Sequence, residues 1–252
     1  MGQSMDAARS QPVLVGRVTT WTFRLAGGPT AWDWTVGPPD PLSLSSIRSP
    51  RSTEKSRHIP VQAHSVTLDG PIRLESGLEH DLVRELDRDP DVVWMVSQPA
   101  RLALSTVNGR SRVHTPDLLV LGREGAVTIW DVRPVERQDE KFVESRDLTE
   151  AACDEVGWGY RVYGGGSPVR RDNVRWLTAY RRAMPWYPAA RDELLRICRD
   201  PGATVGVVLD ADRGAGHLVS AMWHYAWIGA LVVDLDQPIG RTTPIRALRD
   251  VP

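Results

Sequence analysis

Lysine is almost missing from this chain: Lys55 and Lys141 are the only two, and arginine supplies the rest of the 31 basic side chains. Arginine stays charged in proteins, so any step that asks for an amine base is poorly served. Cysteine is equally scarce. Cys153 and Cys198 lie far apart in helix-like stretches with apolar neighbours, and they read as buried free thiols of a reducing cytoplasm. No CxxC or clustered Cys/His spacing exists to hold a structural zinc. Long apolar runs are lacking too: 229–233 is far too short to span a bilayer, and the amino terminus has no basic-then-apolar signal pattern. The expectation is a soluble, cytoplasmic protein without a membrane partner. Charge of one sign is also lacking, since the net charge is -1; contact with DNA would have to come from local patches.

What is present is enough apolar material, 41% of 252 residues, for a real core in one or two domains. Residues 1–70 are poorly defined, with short strands expected at 13–25 and 32–36 and a Pro/Ser/Arg-rich linker at 38–60. No internal repeat is found. The middle is clearer. Leu78, Leu82, Val83 and Leu86 repeat at helical spacing over 76–88. An extended stretch at 92–96 follows. Strands are expected at 102–107, 112–121 and 127–133, joined through Asn108-Gly109 and a turn at 122–125. A helix over 136–156, stopped at Gly157, leads to a strand at 158–163 that a helical crossover makes parallel to its neighbour. The order is helix, three-strand meander, helix, strand, an α/β pattern. Beyond it, helices are expected at 172–184 with Asp172 as cap, at 189–199 and at 215–226. A short segment at 205–209 and strand-like pieces at 230–235 and 242–245 complete the chain. Three helices followed by a hairpin are the layout of a winged helix. The domains expected are 71–185 and 186–252.

The chemistry concentrates in two short segments, His114-Thr115-Pro116-Asp117 and Trp130-Asp131-Val132-Arg133. Side chains two apart share a strand face, so Asp131 and Arg133 point the same way, and the turn at 122–125 returns that end to the level of Asp117. Two carboxylates beside a cation suit a divalent metal acting on a phosphodiester. Asp131 follows Val127, Ile129 and Trp130, a setting in which a carboxylate is costly unless paired or metal-bound. The ordinary alternatives are a turn residue for Asp117 and a salt bridge for Asp131. Glu79 falls on the buried face of its helix, but Ser76 and Glu79 also make a Ser-x-x-Glu capping box, and position alone leaves cap, ligand and both open. Arg133 can hold phosphate but is a poor base. Lys141 is the nearest lysine and sits in a run of solvated charge. Trp158, Trp176, Trp186, Trp223 and Trp227 read as core or domain-interface residues rather than a ligand pocket.

Taken together with Glu75-Ser76-Gly77-Leu78-Glu79, the run 86–93, Gln98-Pro99, Gly157-Trp158, Asn173-Val174-Arg175-Trp176-Leu177 and 220–224, this layout resembles the restriction-endonuclease-like core with its PD-(D/E)-x-K signature. More narrowly, it is similar to the TnsA-like endonuclease subunit of heteromeric transposases, over roughly residues 70–185. The resemblance implies a Mg²⁺-dependent endonuclease, with Mn²⁺ able to substitute, that cuts double-stranded DNA at a transposon end beside an integrase-type transposase and a regulatory ATPase. Glu79, Asp117 and Asp131 would hold the metal with help from the Val132 carbonyl, and Arg133 stands where the pattern has lysine. The carboxyl-terminal region would be a winged-helix-like module. Arg170, Arg171, Arg175, Arg181 and Arg182 form a candidate DNA-binding patch. A binding subunit that keeps the fold without cutting, and a solitary nuclease of defence or repair, are the rival readings.

Overall fold

The computed structural model describes residues 16–48, 61–106 and 108–248. The expected strand and linker residues 13–15 and 49–60, together with Val107, lie outside them. The chain opens with β1 (Arg17–Leu25) and β2 (Gly28–Ala31), an antiparallel hairpin. The strand expected at 32–36 is instead a loop and a short 3-10 turn, Trp34–Val36. The Asp33 carboxylate accepts from Thr35 N at 3.0 Å, a local bond that competes with extended pairing. Residues 38–48 are not a loose linker either. Leu44 and Ile47 are buried, Ser45 N donates to Arg24 O, and Ile47 N donates to Gln98 O.

The hairpin of β3 (Val61–Ser65) and β4 (Gly70–Leu74) precedes α1 (Gly77–Leu86), β5 (Val92–Ser97), β6 (Ala100–Ser105), β7 (Ser111–His114), β8 (Leu118–Gly122) and β9 (Val127–Val132). Then come α2 (Glu140–Glu155) and β10 (Gly159–Tyr163). Two four-stranded sheets result, ordered β2-β1-β6-β7 and β10-β9-β8-β5. In the second, β9 and β10 are parallel, as the crossover through α2 requires, and the other pairs are antiparallel. Gly157, at φ +74, ends α2 in a left-handed conformation that suits glycine.

The expected meander is corrected in two respects. Its first strand is β5, while residues 102–105 of the expected 102–107 strand lie in β6, which belongs to the other sheet. The run 112–121 is two strands. Pro116 has no N–H for a ladder, so the chain leaves one sheet at His114 and enters the next at Leu118. The second sheet is buried on both faces. Leu119, Val127 and Ile129 pack with Trp21, Phe23, Leu102, Leu104 and Cys153. Leu118, Val120 and Met95 pack with Leu74, Leu82, Val83 and Leu86.

The rest is α3 (Pro168–Leu177), α4 (Tyr187–Cys198), α5 (Val205–Ala211), α6 (His217–Trp227) and an antiparallel pair, β11 (Leu231–Val232) with β12 (Arg246–Ala247). α3 starts earlier than expected because Ser167, not Asp172, is its cap: Ser167 Oγ accepts from Arg170 N, and Pro168 fits the first turn. α6 is the hub of a third core, burying Leu218, Ala221, Met222, Trp223, Ala226 and Trp227. Val174 and Leu177 of α3 join that core. Trp158, Trp223 and Trp227 are core residues, whereas Trp176 is exposed and packs edge-on against Trp223 at 4.6 Å. The protein is thus mixed α/β. Among the described residues no helix is long and apolar enough to cross a membrane.

Candidate active site

A cleft of about 530 Å³ opens where the amino-terminal end of α1 meets the ends of β7 and β9 and the approach to β8. Glu75, Glu79, His114, Asp117, Asp131 and Arg133 all line it. Four expected residues from three separated segments are therefore brought together. The pairing explains how. Leu118 is opposite Trp130, so the next residue pair along the ladder is Asp117 with Asp131, and Asp117 N donates to Trp130 O.

Each carboxylate has its own environment. Asp117 is half-buried, and its Oδ2 accepts from Val132 N at 2.7 Å. Burial, then the neighbouring charges of Asp131 and Glu79, push its carboxyl well above the ordinary range despite that bond. Asp131 is only 2% exposed, and its Oδ2 accepts from Tyr160 Oη at 2.5 Å and from His114 Nε2 at 2.9 Å. Burial, then the Asp131 charge, push the Tyr160 phenol up and likewise raise the Cys153 thiol to about 12. Cys153 is therefore an inert core thiol. Glu79 completes the capping box. Its Oε1 accepts from Ser76 Oγ and its Oε2 from Glu75 N, both at 2.8 Å, while Ser76 Oγ accepts from Glu79 N.

Arg133 donates through Nε to Arg137 O at 2.8 Å and lies over the Phe142 ring at 5.8 Å. Lys141 is exposed on the first turn of α2, outside the residues lining the cleft. The candidate DNA-binding arginines are largely engaged within the fold. Arg170 pairs with Glu85 at 2.7 Å and Asp236 at 3.2 Å, and Arg175 with Asp81 and Asp172. Arg181 donates to Thr178 O and Arg182 to His64 Nε2, while Arg171 is half-buried on α3. Arg170 and Arg175 thus reach acidic side chains of α1, while Arg175 and Arg182 stay exposed.

Two residues of the site had no role assigned from the sequence, His114 and Tyr160. The signal for Tyr160 was the parallel register: it pairs with Ile129, two before Asp131, and therefore shares the Asp131 face diagonally. His114 reaches Asp131 from a different sheet, which no local pattern encodes.

Among the described residues, no group of three or more His, Cys, Asp and Glu side chains is arranged as a metal cage. The residues present do fit Mg²⁺ in a leaner form, since that ion is commonly held by one or two carboxylates and completed by water and phosphate oxygens. Asp117 and Asp131, at facing positions on adjoining strands, would be those two, and a cation beside Asp117 would offset the burial and like charge that raise its pKa. No protein-family model and no curated protein matches the chain.

Proposed function

We propose that the protein is a DNA-processing nuclease subunit of the TnsA-like type, with a restriction-endonuclease-like core. The observation that carries this is the meeting of Asp117 and Asp131, side by side on adjoining strands, in one cleft with Glu79 and Arg133. The order of α1, an antiparallel meander, α2 and a parallel strand supports the fold assignment. Asp117 and Asp131 would hold Mg²⁺, with the Glu79 carboxylate, held in its cap, beside them. A bound magnesium would supply Lewis acidity and a lowered water pKa. Asp117 also fixes the Val132 amide, keeping the β9 end in place. Arg133 carries positive charge to the cleft for a phosphate but no base function. We read α4 to α6 with the β11–β12 pair as winged-helix-like. α6 is buried too deeply to enter a groove, which favours contact with a partner transposase or ATPase over base readout by that helix.

The engagement of Arg133 with Arg137 O and of Glu79 with its cap favours a second reading, a subunit that binds DNA with weakened cutting. Plasmid nicking by the purified chain in Mn²⁺ separates the two. Nicking that disappears in Asp117→Ala supports the nuclease, and DNA binding with no nicking in any divalent ion supports the second reading.

A further inference from the structure

Asp131 is held in a way that the reaction chemistry alone does not require. Both of its hydrogen-bond donors fall on one oxygen, Oδ2, with Tyr160 Oη at 2.5 Å and His114 Nε2 at 2.9 Å. Among the described residues no hydrogen bond falls on Oδ1, although Asp131 lines the cleft. The two donors come from different structural layers. Tyr160 is on β10, the parallel neighbour of β9 in the same sheet, whereas His114 ends β7 of the other sheet. A lone aspartate carboxyl turns freely about its last torsion, since that well is broad. Two donors from independently anchored strands remove that freedom. An ionised carboxylate only accepts, so Nε2 must carry the hydrogen and His114 serves here as a donor.

The geometry points to His114 and Tyr160 as positioning residues: together they clamp Asp131 through Oδ2 and present Oδ1 to a divalent cation in the cleft. This rests on the metal-dependent reading above and deepens it by adding the outer layer of the cation site. Metal-ligating carboxylates generally need such partners, and losing one typically weakens metal affinity about 10–100-fold. The clamp also explains how a site with only two well-placed carboxylates can be stiff enough to hold an ion, because orientation is fixed before the cation arrives.

The test uses the full chain and Mn²⁺ alone, with free Mn²⁺ followed by electron paramagnetic resonance and folding by thermal midpoint. Tyr160→Phe removes only the hydroxyl donor, and His114→Ala removes the imidazole. His114→Gln keeps an N–H donor. The expected result is Mn²⁺ affinity about 10–100-fold weaker in Tyr160→Phe and His114→Ala, with folding retained and most of the loss recovered in His114→Gln. A purely structural role predicts lower midpoints with unchanged Mn²⁺ affinity in the folded variants. The clamp is overturned if both variants bind Mn²⁺ within about twofold of wild type while Asp117→Asn does not bind. Failure of the metal reading looks different, because the wild type itself then binds no Mn²⁺, and the positioning role falls with it. If Tyr160→Phe proves too unstable to titrate, the comparison of His114→Gln with His114→Ala decides alone.

Discussion

Replacing the Asp117 carboxyl by an amide should make the protein more stable at neutral pH, not less. Asp117→Asn keeps the side-chain shape and an oxygen for Val132 N, but ends the repulsion from Asp131 and Glu79. In the wild type, burial and like charge raise the Asp117 pKa well above its unfolded value of 3.8, outweighing the 2.7 Å bond to Val132 N. As pH rises through 3.8, the unfolded chain gives up this proton while the folded protein keeps it. Folded protein then binds more protons than unfolded, so stability falls with pH until the raised pKa is passed. Below 3.8 both states are protonated and the effect is absent. Within that window one proton contributes a slope of at most about 1.4 kcal/mol per pH unit. For a chain of this size that is about 3–6 °C in midpoint per unit. The assay is thermal unfolding of wild type and Asp117→Asn from pH 3.5 to 8.5 in chelator, plotted as the difference between them, so that other titrations cancel. The variant should gain on the wild type with rising pH and then level off. Millimolar Mg²⁺ should raise the wild-type midpoint at pH 8 and leave the variant unmoved. A difference that stays flat with pH, or a wild type more stable at pH 8 without metal, would refute the electrostatic account.

Two further outcomes test the carboxyl-terminal module. The Asp212 carboxylate accepts from the backbone N–H groups of Gly214, Gly216, Leu218 and Val219 at 3.0–3.1 Å, standing in for the side chain that the cap residue Gly216 lacks. Asp212→Ala should lower the thermal midpoint by an amount equivalent to about 1–2 kcal/mol at pH 7. Those bonds depress the Asp212 pKa, so the penalty should shrink as pH falls below 3.8. A Cβ at Gly206 would lie 2.7 Å from Arg241 O, so Gly206→Ala should destabilise by about 1–3 kcal/mol in denaturant unfolding. An unchanged midpoint in either variant would contradict the packing described for α5 or α6.

Much of the core was legible in local pattern. The spacing of Leu78, Leu82, Val83 and Leu86, led by Ser76, located α1 and its cap, because periodicity and capping are properties of neighbouring residues. The helical crossover over 140–155 made β10 parallel to β9 for reasons of chain handedness and reach. What could not be read was which strands meet. β6 carries an alternating pattern that would suit either sheet, and its choice of β1 over β8 depends on residues about eighty positions away. The break at Pro116 was visible as a proline but not as a step between sheets. For the same reason Asp117 and Asp131 could be brought together on paper through one hairpin, whereas His114 and Tyr160 could not. Nor could the sequence tell that Arg170 and Arg175 of α3 would lie within ion-pair reach of Glu85 and Asp81.

The ion pairs between α1 and α3 have a mechanical consequence. α1 is ten residues long, a rod of about 15 Å whose front turn carries Glu79 and whose later turns carry Asp81 and Glu85. Arg170 and Arg175 grip the rear of that rod from α3, while Val174 and Leu177 root α3 in the carboxyl-terminal core. A protein that tilts this module must therefore either swing the rod, moving Glu79 against the cleft, or break the guanidinium grips. The carboxyl-terminal core and the helix that carries Glu79 are thus tied through two guanidinium groups.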